Sequence, residues 1–316
     1  MNMKNLKASM LAVTATAFLF AGCQNEGISY PPDEARFSAT IDGASRAYNQ
    51  AWEANDEIGV SCQTGEVTYT NVCYYTAAGD GSFSPKEDSK KIYYQTEEEV
   101  TFTACYPWND LQGGNTLTAD TWKQAEQTKF DFLWAQAKGS KANPGVSFVF
   151  AHRMAKLVLT IKCGNGVSYD EVKAAALSLE GFKHLGSFDV TTGVAAASGE
   201  NSAKWTFAGN SAAENNAPYT QDDESSTVVY TLIGYPQVLE APVTFTAQLQ
   251  GEQSFTAGLD FTNANAIKDG SAARNEWVAG RQYNIGIKLT KTGISLEGCK
   301  IAAWDEENSE VDADMQ

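Results

Sequence analysis

Apolar and polar residues alternate with a period of two along most of the chain. Phe37, Ala39 and Ile41 alternate with Ser38, Thr40 and Asp42, the pattern of a strand with one dry and one wet face. Val100, Phe102, Ala104 and Tyr106 repeat it until Pro107, where a missing N–H stops the ladder. Leu157, Leu159 and Ile161 point one way, with Val158, Thr160 and Lys162 on the other side. The cleanest run is Val243, Phe245, Ala247 and Leu249, followed by Tyr283, Ile285, Ile287 and Leu289.

Between these runs the β-branched and aromatic stretch Val67–Thr76 predicts a strand, preceded by one starting at Ile58 and Val60 and a turn over residues 63–66. A short strand is expected at Lys91–Tyr94, two more across residues 147–163, and others at Val172–Leu179, Val228–Ile233, Phe255–Phe261 and Ile301–Trp304. The Gly-, Asp-, Ser- and Pro-containing stretch Ala77–Lys90 and the polar stretch Ser198–Ser226 read as loops. No amphipathic helix longer than two turns is expected. Many short strands with turn signals between them predict an all-β protein, and 316 residues are enough for two β-sandwiches. Gly164–Ser168 is the expected boundary between domains at 36–165 and 166–304.

The N-terminus is patterned differently. Lys4 and Lys7 precede the mostly apolar run Met10–Gly22, too short for a membrane-spanning helix and suited to a signal peptide over residues 1–22. Leu19-Phe20-Ala21-Gly22-Cys23 resembles a bacterial lipobox, which makes Cys23 the expected lipidation site and residues 23–35 a lipid-attached linker. Several acyl chains, at about 0.8 kcal/mol per buried methylene, would hold such a chain at the outer membrane. The formal charge of −16 becomes −18 once Lys4 and Lys7 leave with the signal, and it argues against nucleic acid as a partner.

Little else suggests chemistry. Five cysteines remain after Cys23: Cys62, Cys73, Cys105, Cys163 and Cys299. An odd number cannot all pair; Cys62 and Cys73, flanking a hairpin turn, could bridge, and most of the five read as small buried hydrophobes. His152 and His184, the two histidines, have no metal-ligand spacing, and no nucleophile elbow, P-loop or HExxH is present. Residues 305–316 (DEENSEVDADMQ) read as a solvated acidic tail. No enzyme, cofactor or metal site is expected.

Several stretches together resemble the fimbrillin (type V pilin) family of Bacteroidetes. They are Trp52–Val60, Ala104–Trp108, Asp131–Ala135, the F-x-F-x-H-x-M-x-K-L run Phe148–Leu157, and the ending Gly280–Tyr283 through Ile301–Trp304. The resemblance implies two tandem transthyretin-like β-sandwich domains, lipoprotein export, and cleavage by an arginine-specific protease between the first strand and the fold. Arg46, six residues before Trp52, matches that cleavage position, with Ala47 as the new N-terminus; Arg36 is the rival.

The residues themselves point the same way. Asp42-Gly43 ends the first strand, and Ala44-Ser45-Arg46-Ala47 is a small-residue linker open to a protease. Phe37, Ala39 and Ile41 thus belong to a removable strand, whose loss would leave unpaired backbone beside an apolar groove. Ile294 and Leu296, followed by Ile301 to Trp304, form a candidate donor strand. The expected function is a fimbrial subunit at the cell surface that polymerises with other subunits by strand exchange and supports adhesion. The alternatives are a monomeric glycan-binding surface lipoprotein, drawing on seven tryptophans and thirteen tyrosines, and an uncleaved fimbrial anchor or assembly protein.

Overall fold

The alternating runs become strands in the computed structural model, which describes residues 33–42, 51–199, 203–208, 212–239, 243–249, 254–259, 261 and 276–304. Cys23, Arg46, Ala47 and the tail 305–316 lie outside these residues. In the first half the strands are β1 (Arg36–Ile41), β2 (Glu57–Thr64), β3 (Val67–Tyr75), β4 (Ser82–Pro85), β5 (Val100–Tyr106), β6 (Thr116–Asp120), β7 (Leu133–Gly139) and β8 (Gly145–His152). The chain continues through β9 (Ala155–Cys163), helix α1 (Tyr169–Ala174), β10 (Ala176–Glu180), β11 (Leu185–Asp189), β12 (Val194–Ala197), β13 (Trp205–Phe207) and β14 (Tyr219–Asp222). It ends with β15 (Thr227–Gly234), β16 (Gln237–Val238), β17 (Val243–Gln248), β18 (Ser254–Leu259), β19 (Glu276–Trp277), β20 (Arg281–Thr290) and β21 (Gly293–Ala303).

Strands β1-β4-β3-β2-β5-β7-β8 close into a barrel. A five-stranded sheet, β14-β15-β9-β20-β21, and a four-stranded sheet, β13-β10-β17-β18, both contribute to a second core. Leu157, Leu159, Leu232, Phe245, Trp277 and Ile287 are fully buried there. A three-stranded sheet, β12-β11-β6, pairs the first half with the second: Leu117 of β6 lies opposite Phe188 of β11.

Beneath that sheet sits a third apolar cluster that draws on both halves, including Phe132, Met154, Phe188, Tyr235 and Trp304. Phe132 stacks on Phe188 at 4.8 Å. Buried Gln124 donates to the carbonyls of Thr121 and Ile233 and accepts from the Ile233 N–H. Trp134 Nε1 donates to the Val190 carbonyl at 3.0 Å. Gln124 and Trp134 are thus satisfied across the junction, which is the condition for burying them.

Several expectations are corrected. Residues 77–90 are not all loop: Phe83 carries an apolar contact inward and makes β4. Lys91–Tyr94 forms only an isolated bridge, Tyr93 with Glu34. Thr116–Asp120, outside the expected strands, is one: Leu117 and Ala119 alternate with polar residues, and β11 supplies the partner. Val172–Leu179 begins as helix, because Ser168 and Glu171 make a reciprocal capping box and Val172 is its buried residue. The polar stretch 198–226 contains β13 and β14, and Trp205 and Phe207 within it are core residues.

The strand Ala155–Cys163 pairs with β15 and β20 of the second sheet. The crossing from barrel to sheet therefore falls at Arg153-Met154, ahead of Gly164–Ser168. Cys62 and Cys73 are both free thiols. The register sets Cys73 opposite Gly59 and, past a bulge, Cys62 opposite Tyr69, so the two are not cross-strand neighbours. Burial pushes the thiols of Cys62, Cys73 and Cys105 up to about 12, which keeps them unreactive.

His184 lies almost fully buried against Trp205, ring centroids 4.5 Å apart, with Nε2 2.6 Å from the Ala203 carbonyl. Burial holds its pKa below the ordinary value, opposed by that carbonyl and by Asp120. A base depressed in the folded state binds its proton more readily unfolded, so stability is lost as pH falls below about 6.5. Urea unfolding of wild type and His184→Gln between pH 7 and 5 should show a smaller loss of stability for the variant. Equal pH slopes would remove His184 from the linkage.

Candidate functional site

The feature that sets the barrel apart is the strand that closes it. β1 runs parallel to β8 over six positions, Arg36 with Gly145 through Ile41 with Phe150. On its other side it meets β4 antiparallel at two, Phe37 with Phe83 and Ser38 with Ser82. Its side chains alternate exposed and buried without exception, as the sequence period requires. Phe37, Ala39 and Ile41 all lie in the barrel core.

Phe37 fits an aromatic box. Tyr74 and Phe102 meet it edge-on with centroids at 4.7 and 5.4 Å, and Phe148 stacks at 5.7 Å. Burial of such a side chain contributes about 1.5–3 kcal/mol, and the ring pairs add roughly 0.5–1.5 kcal/mol each. Outside, Ser38 and Ser147 hydroxyls lie 2.9 Å apart. The backbone is fastened at both ends: Ala35 N donates to the Ile92 carbonyl, and Asp42 N donates to the Phe150 carbonyl.

Ala39 is the tightest point. Its N–H donates to the Gly81 carbonyl at 2.8 Å, and its carbonyl accepts from Trp52 Nε1 at 2.8 Å. The Trp52 ring is held edge-on by Phe83, Tyr106 and Phe150, with centroids 5.1–5.5 Å away. Gly81 has φ +80°, and a Cβ there would lie 2.4 Å from the Ala39 carbonyl oxygen. Only glycine permits that approach. Alternation in the sequence identified β1, but its neighbours Trp52 and Gly81 became visible only in the structure.

The other candidate residues are placed as follows. Arg36 is the first residue of β1 and is paired with Gly145. Ile294, Leu296 and Ile301 lie in β21, an edge strand that pairs with β20 from Gly293 to Ala303. Trp304 is buried, stacked on His152 at 4.2 Å with an interplanar angle of 12°. His152 Nδ1 lies 2.8 Å from Asp131 Oδ1, a hydrogen bond between buried side chains. Among the tryptophans, Trp52, Trp205, Trp277 and Trp304 are core residues, not platforms for a sugar. Among the described residues no cluster of three or more metal-ligating side chains occurs, and no helix is long and apolar enough to cross a membrane.

These features define a class: an all-β protein in which a strand near the N-terminus completes the barrel of its first half. The chain belongs to the fimbrillin-like family, whose profile matches residues 45–304. The family is of a structural fimbrial and adhesin type and not an enzymatic one. A candidate fimbrium subunit, Fim1C of Bacteroides uniformis, is 26% identical over 317 aligned positions that cover 96% of each chain. The crystal structure of a candidate cell adhesion protein from Bacteroides uniformis is 26% identical, with a TM-score of 0.66 over 86% of this chain and 99% of its own. A second candidate cell adhesion protein, from Bacteroides ovatus, shares the fold at 23% identity and a TM-score of 0.68, over 87% of this chain and 99% of its own.

Gly81→Ala should loosen β1 by about 1–3 kcal/mol, the cost of forcing a side chain into a glycine-only conformation. Hydrogen exchange of the peptide covering residues 36–42 should accelerate, while β17 exchanges at its wild-type rate. Unchanged protection of β1 would show that the close approach at Ala39 is not needed to hold the strand.

Proposed function

We propose that this protein is a structural subunit of a cell-surface fimbria that polymerises by exchanging β1 for a strand of another subunit. In this reading the chain is exported as an outer-membrane lipoprotein acylated at Cys23. An arginine-specific protease cuts after Arg46, Ala47 becomes the N-terminus, and the segment carrying Phe37, Ala39 and Ile41 departs. The barrel and the second sheet system then correspond to the two tandem transthyretin-like domains that the family resemblance implies.

One observation carries the reading: the strand that closes the barrel is the one that lies just ahead of the arginine-containing linker. Its loss would leave β8 and β4 with unpaired backbone on either side of an aromatic box, a template that an alternating strand can fill. Cleavage at Arg36 fits less well, since that residue is held in the ladder and a cut there would leave β1 in place. The names of the relatives, a fimbrium subunit and a cell adhesion protein, support assembly at the cell surface.

Lipid-free protein beginning after Cys23 and treated with an arginine-specific protease should form ladders on gels run in SDS without boiling. Arg46→Ala should remain monomeric under the same treatment. Trimming of the wild type without oligomers would overturn polymerisation, and ladders formed by Arg46→Ala would overturn the choice of site.

A further inference from the structure

Shape alone does not describe the slot that β1 fills. Ahead of the strand, Glu34 is 3% exposed, with one carboxylate oxygen 3.7 Å from Lys91 Nζ and the other without a hydrogen-bond partner. Backbone contacts fix this position: Tyr94 N donates to the Asp33 carbonyl, Ala35 N donates to the Ile92 carbonyl, and Glu34 bridges Tyr93. The second carboxylate near Lys91, Asp88, is almost fully exposed at 3.5 Å. A carboxylate taken this far from water needs its counter-ion, and Lys91 is the cation placed to supply it. Glu34 in turn is the main influence raising the Lys91 pKa.

We infer that Lys91 is a specificity residue of the vacated slot, selecting a strand of another subunit that carries a carboxylate three residues before its anchoring aromatic. This inference rests on the strand-exchange reading. A cut after Arg46 removes Glu34 together with β1 and leaves Lys91 at the rim of an open groove. The remaining requirements follow from β1. Ala35 and Ala39 are 2% and 5% exposed, so larger residues there would overpack the core. Phe37 needs an aromatic successor, and Ile41, also buried, an aliphatic one. The slot therefore reads acid, small, any, aromatic, any, small, any, aliphatic.

The candidate donor β21 satisfies this in no natural register. With Leu296 at the Phe37 position, Gly293 replaces the acid, Ile294 falls on Ala35 and Lys300 on Ile41. With Ile301 there, Gly298 replaces the acid and Asp305 meets the apolar end. With Glu297 at the Glu34 position, Lys300 enters the aromatic box. The slot is cut for a strand other than β21, supplied by another subunit.

The test uses the lipid-free chain with a sequence-specific protease site placed between Asp42 and Trp52, so that opening the slot does not depend on Arg46. A fluorescein-labelled peptide of residues 33–42 is the probe, and binding to the cut protein is followed by anisotropy. Glu34→Gln in the peptide should weaken binding roughly tenfold, the scale of one charge-assisted contact, and Ala39→Leu should abolish it. Lys91→Glu protein should bind the Glu34→Lys peptide better than the native one. A peptide of residues 293–304 should not bind. Equal affinity of the native and Glu34→Gln peptides would overturn the inference while leaving strand exchange intact, and because the protein is unchanged in that comparison, folding of Lys91→Glu does not decide it. Failure of every peptide to enter the cut protein would overturn strand exchange, and the inference with it.

Discussion

The first half of the molecule depends on one pairing, that of β1 with β8. A sheet that ends in open edges exposes unpaired N–H and C=O groups along each. Here six parallel pairs on one side and two antiparallel pairs on the other close a seven-stranded barrel. The same strand delivers Phe37 into the aromatic box, so hydrogen-bond closure and core packing come from one short segment. Loss of that segment would expose backbone and apolar surface together, and a complementary strand could restore both.

The close approach at Ala39 shows how little freedom the surroundings leave. Gly81 brings its backbone against the strand, and Trp52, which follows the linker in sequence, caps the Ala39 carbonyl. Trp52 and Gly81 both lie beyond Arg46 in the chain, so a cut there, as proposed, would leave them with the fold. On the proposed cut, the slot would keep residues that β1 does not contain, the condition for a rigid binding site.

The two halves are tied by mixed apolar and polar contacts. Phe132 stacks on Phe188, β6 pairs with β11, and Gln124 and Trp134 bond backbone carbonyls across the junction. The run around Phe148–Leu157 makes the crossing: Phe148 and Phe150 face the barrel, Met154 the shared cluster, and Leu157 the second core. His152, between them, is held by Asp131 and covered by Trp304. Both histidines of the chain thus serve packing.

Alternation by itself determined the all-β class, the inward face of β1 and the long strands β5, β9, β17 and β20, because side-chain direction in a strand is a local property with a period of two. Tertiary structure decided what alternation cannot encode. β6 and β13 are five and three residues long, and both are strands because distant segments supply their hydrogen-bond partners. Whether Ala155–Cys163 joined the barrel or the second sheet depended on which neighbours, β15 and β20, were available to pair. Cys62 and Cys73, plausible partners by spacing, are parted by the register of the hairpin, which places Cys73 opposite Gly59, three residues before Cys62. The slot around β1 was half legible: its occupant could be read from the chain, but Gly81, Trp52 and Lys91 acquire their roles only where folding brings them against it.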